Sequence, residues 1–479
     1  MSIQSNRELI FQITKSKVAT EILKKLNALD VSLLNSSNDC IVMAQTAIRI
    51  SALKKALELS HKAVELEPDS LALNMSLATA YMFLRDNIGA RNICFNVINK
   101  FGDGAEVFNL IGHTYSGQGD FERAEKWFRK ALNIENNYAL AITGLSRCRK
   151  FTSDYEEIIN LFKKAFLSKM DIESQSKVHF SIAKVYNDCG KYEKAWQHAK
   201  NANTLLQMSY PFKEKSFVSE QIDRLIHHNM GEMSSGKSKD EHVLIVGMPR
   251  SGTTLMEQIV GGHRKYFPGG EVPAIEYSLA FGAPEKTSLA RFSESKLDEC
   301  AKAYKNYFCE FNYNYTDRII NKVPLNFLNV GIFKQMFPNA KIIYMKRDYR
   351  DVSASIFFEQ FSTQMNYTSS LADTFFMFSE CVRIMTFWQE KFTQDVICIE
   401  YENLISNFDF ELGRVAEFLK VEQNEFEDHR ETKNSVETPS LWQVRQRVYS
   451  SSCGRYKNYK ALSGLPDSFG GDASIDFIG

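Results

Sequence analysis

Nowhere in the 479 residues is there an unbroken run of about 18 apolar side chains, the length a helix needs to cross a bilayer. The segment from Met1 to Asp30 mixes charged and apolar positions and has no apolar centre like that of a secretory signal. Neither insertion into a membrane nor association with one is expected. Excess charge of one sign is missing too. Lys plus Arg and Asp plus Glu number 58 each, so no bulk field draws the chain to nucleic acid or to an anionic surface, and any anion site has to be local. Paired cysteines are also lacking. The nine cysteines are scattered from Cys40 to Cys453 without a CxxC spacing, which argues against a disulfide framework or a zinc site and for reduced thiols in the cytoplasm. No His/Cys/Asp ligand cluster stands out, and no metal is expected.

What is present is enough apolar material for packed cores. Hydrophobic residues make up 44% and charged residues 24%, a soluble globular balance. At about 100 to 200 residues per domain, the length suggests two or three units, and two is the simplest count.

The first half repeats itself. In Ala105 to Glu135, the residues Phe108, Ile111, Gly112, Tyr115, Ala124, Phe128 and Ala131 fall at offsets that describe two packed helices. Small residues allow close approach and aromatic ones fill the groove, as in the roughly 34-residue tetratricopeptide pattern. One period earlier stand Leu77, Ala78, Tyr81 and Ala90, and one further back Met43, Ala44, Ala56, Ala63 and Pro68. One period later come Leu145, Phe162 and Ala165, and then, about three residues out of register, Ala183, Tyr186, Gly190, Ala195 and Ala202. These positions predict a helical repeat domain over 1–210, its first 36 residues being a cap or a degenerate unit. Residues 211–240 end in the polar stretch GEMSSGKSKD and are expected to form a linker. Over 241–479 the apolar signal changes to short β-rich runs, His242 to Val246, Lys341 to Met345 and Val396 to Tyr401, separated by helical stretches. That order predicts an α/β domain with a parallel sheet.

The most informative segment is HVLIVGMPRSGTTLMEQIVG, His242 to Gly261. It reads as an apolar strand, a Gly-bounded turn and a helix, an arrangement that aims free backbone N–H groups at an anion. Gly247 and Gly252 allow close approach of the backbone, and Ser251, Thr253 and Thr254 supply hydroxyls at the helix start. A nucleotide-triphosphate loop needs Lys after the second Gly, whereas this chain has Thr253. Arg250 sits inside the turn instead.

PRSGTT, Pro249 to Thr254, resembles the 5′-phosphosulfate loop of the sulfotransferases, in particular protein-tyrosine sulfotransferases and bacterial tetratricopeptide-repeat sulfotransferases. A second segment, KIIYMKRDYRDVSASIF, Lys341 to Phe357, again reads strand, turn, helix. In the family an Arg and a Ser eight residues apart bind the 3′-phosphate, and here they are Arg347 and Ser355. The Arg suits a dianion because its planar fork donates two parallel bonds.

The resemblance implies a helical solenoid followed by a P-loop-like α/β sulfotransferase domain. Its donor would be 3′-phosphoadenosine 5′-phosphosulfate (PAPS). It makes Glu271, in FPGGE, the general base, with His263 as the rival. Lys322, in NKVPLN, would assist the leaving group together with Arg250. Asn321 stands where an Asp is often found before this Lys, although the tyrosine sulfotransferases also carry Asn. Near the end of the chain, the resemblance places Ser440 close to the transferring group and Gly454, Arg455 and Lys457 close to the nucleotide. Arg447 stands where the family usually has Pro. Sulfuryl carries less charge than phosphoryl, so side-chain cations can replace Mg²⁺. The expected acceptor is a hydroxyl group, protein tyrosine first and a carbohydrate or small hydroxyl compound second, with a polypeptide held by the repeats. The alternatives of another class are a P-loop kinase and a repeat scaffold whose second domain is inactive.

Overall fold

The computed structural model describes residues 3–15, 19–50, 52–152, 155–167, 169–229, 231, 233–282, 292–311, 313, 317–427 and 453–464. Helices α1 (Ile3–Lys15) and α2 (Ala19–Ala28) precede five helix pairs. These are α3 (Ser37–Arg49) with α4 (Leu53–Leu66), α5 (Leu71–Phe83) with α6 (Asn87–Phe101), α7 (Ala105–Gly117) with α8 (Phe121–Ile134), α9 (Ala139–Arg147) with α10 (Tyr155–Lys163), and α11 (Ile172–Asp188) with α12 (Tyr192–Ser209).

Local chemistry sets their ends. The carboxylates of Asp86, Asp120 and Asp171 accept the N–H groups of Gly89, Arg123 and Ser174 at 2.8, 3.0 and 2.8 Å, satisfying donors that a helix start leaves open. The pairs pack through the small residues that the repeat pattern singled out. Phe128 is fully buried, and a Cβ on either Gly112 or Gly144 would overlap its ring.

The second domain is built on five parallel strands, β1 (Val243–Gly247), β2 (Tyr266–Pro268), β3 (Arg318–Lys322), β4 (Lys341–Lys346) and β5 (Val396–Glu400), in the order β2-β3-β1-β4-β5. The central β1 is buried along its whole length, which explains its continuous apolar run. Because the chain leaves β1 to one side for β2 and β3 and to the other for β4 and β5, a crevice opens at the carboxyl ends of the strands beside β1.

The two domains share a core. Phe357, Phe358, Leu371 and Tyr459 lie in the same apolar cluster as the last four repeats. Trp196 of α12 stacks on Phe357 with centroids 4.8 Å apart, and Asn203 donates to the Phe357 carbonyl at 2.8 Å. Arg147 pairs with Glu359 at 2.7 Å. The segment 211–240 differs from the expected linker. It contains α13 (Lys215–Asn229), whose Ile222 and Leu225 enter the core of the second domain, with Val218 packed against it. Those three positions have helical spacing, so an apolar stripe sits ahead of the polar stretch. The polar stretch is docked as well, Gly236 N–H donating to the Gln335 carbonyl at 2.8 Å.

All nine cysteines are free thiols. Among the described residues, no helix is long and apolar enough to cross a membrane.

Two outcomes are expected. Gly144→Ala forces a methyl into the Phe128 ring and should lower stability by about 1–3 kcal/mol, read as a drop in melting temperature. His242 is buried and accepts the Ile319 N–H at 3.0 Å, and burial pushes its pKa down to about 3. In the unfolded chain it takes up a proton below about pH 6.5, so between the two values the unfolded state binds more protons and stability is lost as pH falls. His242→Asn, which keeps an acceptor but does not titrate, should show a flatter fall in melting temperature between pH 6.5 and 5 than the wild type.

Candidate active site

The turn after β1 is set by what cannot fit beside it. Gly247 has φ +151°, and a Cβ there would collide with the Met345 carbonyl of β4 and the Ser251 hydroxyl. Gly252 has φ +101° and lies against the ring of Tyr401. Between them Arg250 holds a left-handed backbone, φ 69°, at a cost of about 1–2 kcal/mol for a residue with a Cβ. The helix that follows, α14 (Thr253–Gly261), begins with buried Thr253 and Thr254. Ser251 Oγ is buried and has no hydrogen-bond partner among the described residues. An orphaned hydroxyl beside the open N–H groups of a helix start fits an anionic group.

The turn and helix after β4 meet the turn after β1. Arg347 follows β4 and donates through Nη1 to the Arg250 carbonyl at 2.8 Å, its guanidinium 4.4 Å from the centroid of Tyr401. Arg250 donates through Nε to Ser355 Oγ at 2.9 Å. Arg250, Arg347 and Ser355 are therefore brought together by direct contact. The carboxylate of Asp351, on the same helix as Ser355, accepts the N–H groups of Gly454 and Tyr456 at 2.6 and 2.9 Å. That contact ties the closing segment to the helix that carries Ser355. Arg455 lies over Phe358, 5.3 Å from its centroid, and the Lys457 chain runs past Gly454, which has φ +73°. Ser440 and Arg447 lie outside the described residues.

The third group centres on Lys322 at the end of β3, which has no exposed surface. Its ammonium contacts Glu271 Oε1, donates to Thr254 Oγ1 at 3.2 Å and lies 3.7 Å from Glu257 Oε2. Glu271 is open to solvent, its side chain 39% exposed, whereas Glu257 is buried. Burial raises the pKa of Glu257, opposed by Lys322, Arg85 and the hydrogen bond from Gly270 N–H. Glu257 also accepts that N–H at 2.7 Å and so holds the loop that carries Glu271.

His263, the rival base, is fully buried. One ring nitrogen faces Glu425 at 2.8 Å and the other accepts the Lys265 N–H at 3.1 Å. Both nitrogens are engaged away from Lys322.

Sequence reasoning missed Glu257, Tyr401 and Asp351. The available signal for Glu257 was an ionisable residue inside the apolar helical stretch LMEQIV. Tyr401 and Asp351 act through contacts across the fold and left no local signal. Among the described residues, no group of three or more His, Cys, Asp or Glu side chains could hold a metal ion.

Comparison with known proteins matches residues 242–425 to the sulfotransferase family and residues 105–138 to the tetratricopeptide repeat. An uncharacterized protein of Aquifex aeolicus is 27% identical over 373 residues, covering 74% of this chain and 48% of that protein. The chain thus spans about half the length of that relative. A putative protein-tyrosine sulfotransferase of Caenorhabditis briggsae is 26% identical over 237 residues, 49% of this chain and 83% of that one. The sulfotransferase domain from the Synechococcus PCC 7002 olefin synthase superposes with a TM-score of 0.36 at 15% identity, over 50% of this chain and 94% of that chain.

Replacing Glu257 strips a buried ammonium of one carboxylate and the loop that carries Glu271 of one anchor. Glu257→Leu should destabilise the fold by about 3–5 kcal/mol and Glu257→Gln by less, as measured by urea unfolding.

Proposed function

Because the chain joins tetratricopeptide repeats to a domain of the sulfotransferase family, we propose that it moves a sulfuryl group from PAPS to an acceptor hydroxyl by in-line displacement. One observation carries the reading. The Gly-bounded turn and the Arg347/Ser355 pair converge on Arg250, while the Lys322–Glu271 pair adjoins the same turn through Thr254.

In this reading Ser251, Gly252, Thr253 and Thr254 hold the 5′-phosphosulfate of the substrate through hydroxyls and backbone N–H groups. Arg347 and Ser355 hold the 3′-phosphate, where the guanidinium fork suits a dianion. Gly454, Arg455 and Lys457 border the nucleotide, and Ser440 lies near the transferring group. Glu271 takes the acceptor proton as the acceptor oxygen bonds to sulfur. The bond between sulfur and the bridging phosphate oxygen breaks, and Lys322 with Arg250 stabilises the charge that develops on that oxygen. The products are the sulfated acceptor and adenosine 3′,5′-diphosphate, and no metal takes part.

Two observations favour a protein tyrosine acceptor. The sulfotransferase part is similar to a putative protein-tyrosine sulfotransferase, and Glu271 lies at the solvent-facing side of the site, where a side chain of another polypeptide can reach it. Thr253, in place of a phosphate-reaching Lys, weighs against the kinase alternative.

Incubation of the full chain with radiolabelled PAPS and a tyrosine-containing acidic peptide tests this. Labelled peptide should form in EDTA. Glu271→Gln should slow turnover by about 10²–10⁴-fold, the range for removal of a positioned proton acceptor, with affinity for the diphosphate unchanged. Strict dependence on Mg²⁺, or wild-type turnover in Glu271→Gln, would overturn the mechanism.

A further inference from the structure

The two glycines that precede Glu271 are held by four backbone contacts, and one of them comes from the other domain. Gly269 N–H donates to the Ile320 carbonyl at 2.8 Å, and the Gly270 carbonyl accepts the Lys322 N–H at 3.2 Å. Gly270 N–H goes to Glu257 at 2.7 Å. The remaining group, the Gly269 carbonyl, accepts from Arg85 Nη2 at 3.1 Å. Arg85 lies in the turn between α5 and α6, in the second repeat.

The repeat itself shows that Arg85 occupies an unusual place. In each of three turns the same pair of bonds recurs. Arg85 N–H goes to Met82 O and Asp86 N–H to Tyr81 O, Gly119 N–H to Ser116 O and Asp120 N–H to Tyr115 O, Gly190 N–H to Asn187 O and Lys191 N–H to Tyr186 O. The corner residue is left-handed in all three, with φ 62° at Arg85, 83° at Gly119 and 69° at Gly190. Two of the corners use glycine, which adopts this conformation without strain. Arg85 carries a Cβ there, which disfavours the left-handed conformation, and a strained non-glycine residue at one corner calls for a compensating contact.

The contacts of Arg85 lie in the catalytic domain. Besides the Gly269 carbonyl, its guanidinium lies 5.2 Å from the centroid of Phe311, and its charge favours the carboxylate form of Glu257. Gly270, φ +75°, leaves the space that the guanidinium fills, since a Cβ on Gly270 would overlap Arg85 Nη2. The neighbouring repeat helps to hold this side, Lys54 donating to the Cys309 carbonyl at 2.6 Å.

We propose that Arg85 is a positioning residue for the general base, so that the repeat domain completes the catalytic loop rather than only recruiting an acceptor. This rests on the reading of Glu271 as the base. The guanidinium fixes the Gly269 carbonyl, Glu257 fixes the next N–H, and between them the direction in which Glu271 leaves the loop is set.

Arg85→Gly in the full chain tests it, because glycine is the residue that the sister corners use and the turn itself should survive. With radiolabelled PAPS and the tyrosine peptide, kcat should fall about 10- to 100-fold, the scale of a small misplacement of a reacting group, while KM for PAPS and affinity for the diphosphate stay at wild-type values. Arg85→Lys, which keeps the charge and a donor, should recover part of the loss. Hydrogen exchange at the amides of Gly270 and Lys322 should quicken in Arg85→Gly, with the amides of β1 unchanged. That measurement needs no turnover and reads the hold on the loop whether or not Glu271 is the base. Unchanged kcat with unchanged loop exchange would overturn the proposal, as would a joint loss of diphosphate affinity and β1 protection, which marks damage to the whole interface. Wild-type turnover in Glu271→Gln alongside quickened loop exchange in Arg85→Gly would instead overturn the assignment of the base and leave Arg85 as a loop anchor.

Discussion

Lys322 places a positive charge where water does not reach, and much of the site is arranged around that charge. Burying an ammonium without partners costs several kcal/mol. Here Glu271, Glu257 and Thr254 surround it, drawing the end of β3, the first turn of α14 and the loop after β2 to one point. Glu257 is in a reciprocal position. Burial disfavours its charge, and Lys322, Arg85 and the Gly270 N–H restore it. Lys322 and Glu257 compensate each other, and removing either leaves the other's buried charge short of a partner.

The parallel sheet makes this convergence possible. Four of the segments that carry the proposed site residues leave the carboxyl edge of a strand: the Gly-bounded turn after β1, the Glu271 loop after β2, Lys322 at the end of β3 and Arg347 after β4. The repeats are joined to the same edge from outside. Arg85 reaches the loop that carries Glu271, Trp196 stacks on Phe357 of the helix that carries Ser355, and Tyr459 donates to Asn187 at 2.5 Å after the closing segment has docked on Asp351. A cut near Gly236 would expose Phe357, Phe358 and Tyr459 and remove α13, so the repeat and catalytic parts are better regarded as one folding body than as two tethered modules.

What could be read in the sequence were features contained within single elements. The roughly 34-residue period located the helix pairs because each repeat buries the same small and aromatic positions. The first phosphate turn was legible because strand, glycines and hydroxyls are contiguous. Arg347 and Ser355 were singled out by the resemblance to a sulfotransferase segment, and their eight-residue spacing falls within one turn and helix. The strands β2 and β3 left little trace, β2 having three residues and β3 a single apolar pair between polar ends. Helix α13 was hidden by the polar stretch after it. The partners of Lys322, the burial of His263 against Glu425 and the reach of Arg85 to Gly269 depend on residues far apart in the chain, 162 positions for the histidine pair and 184 for the arginine contact. No local pattern encodes such contacts.

The central claim is that two anion-binding segments meet at Arg250 to hold a nucleotide phosphorylated at both its 3′ and 5′ positions. Calorimetric titration of the full chain with adenosine 3′,5′-diphosphate and, separately, with ATP tests it most directly. The diphosphate should bind far more tightly than ATP, and Arg347→Ala should lose about 1.5–3 kcal/mol of that affinity, the worth of a charge-assisted hydrogen bond, with its ATP affinity little changed. Equal affinity for the two nucleotides, or no loss in Arg347→Ala, would contradict it.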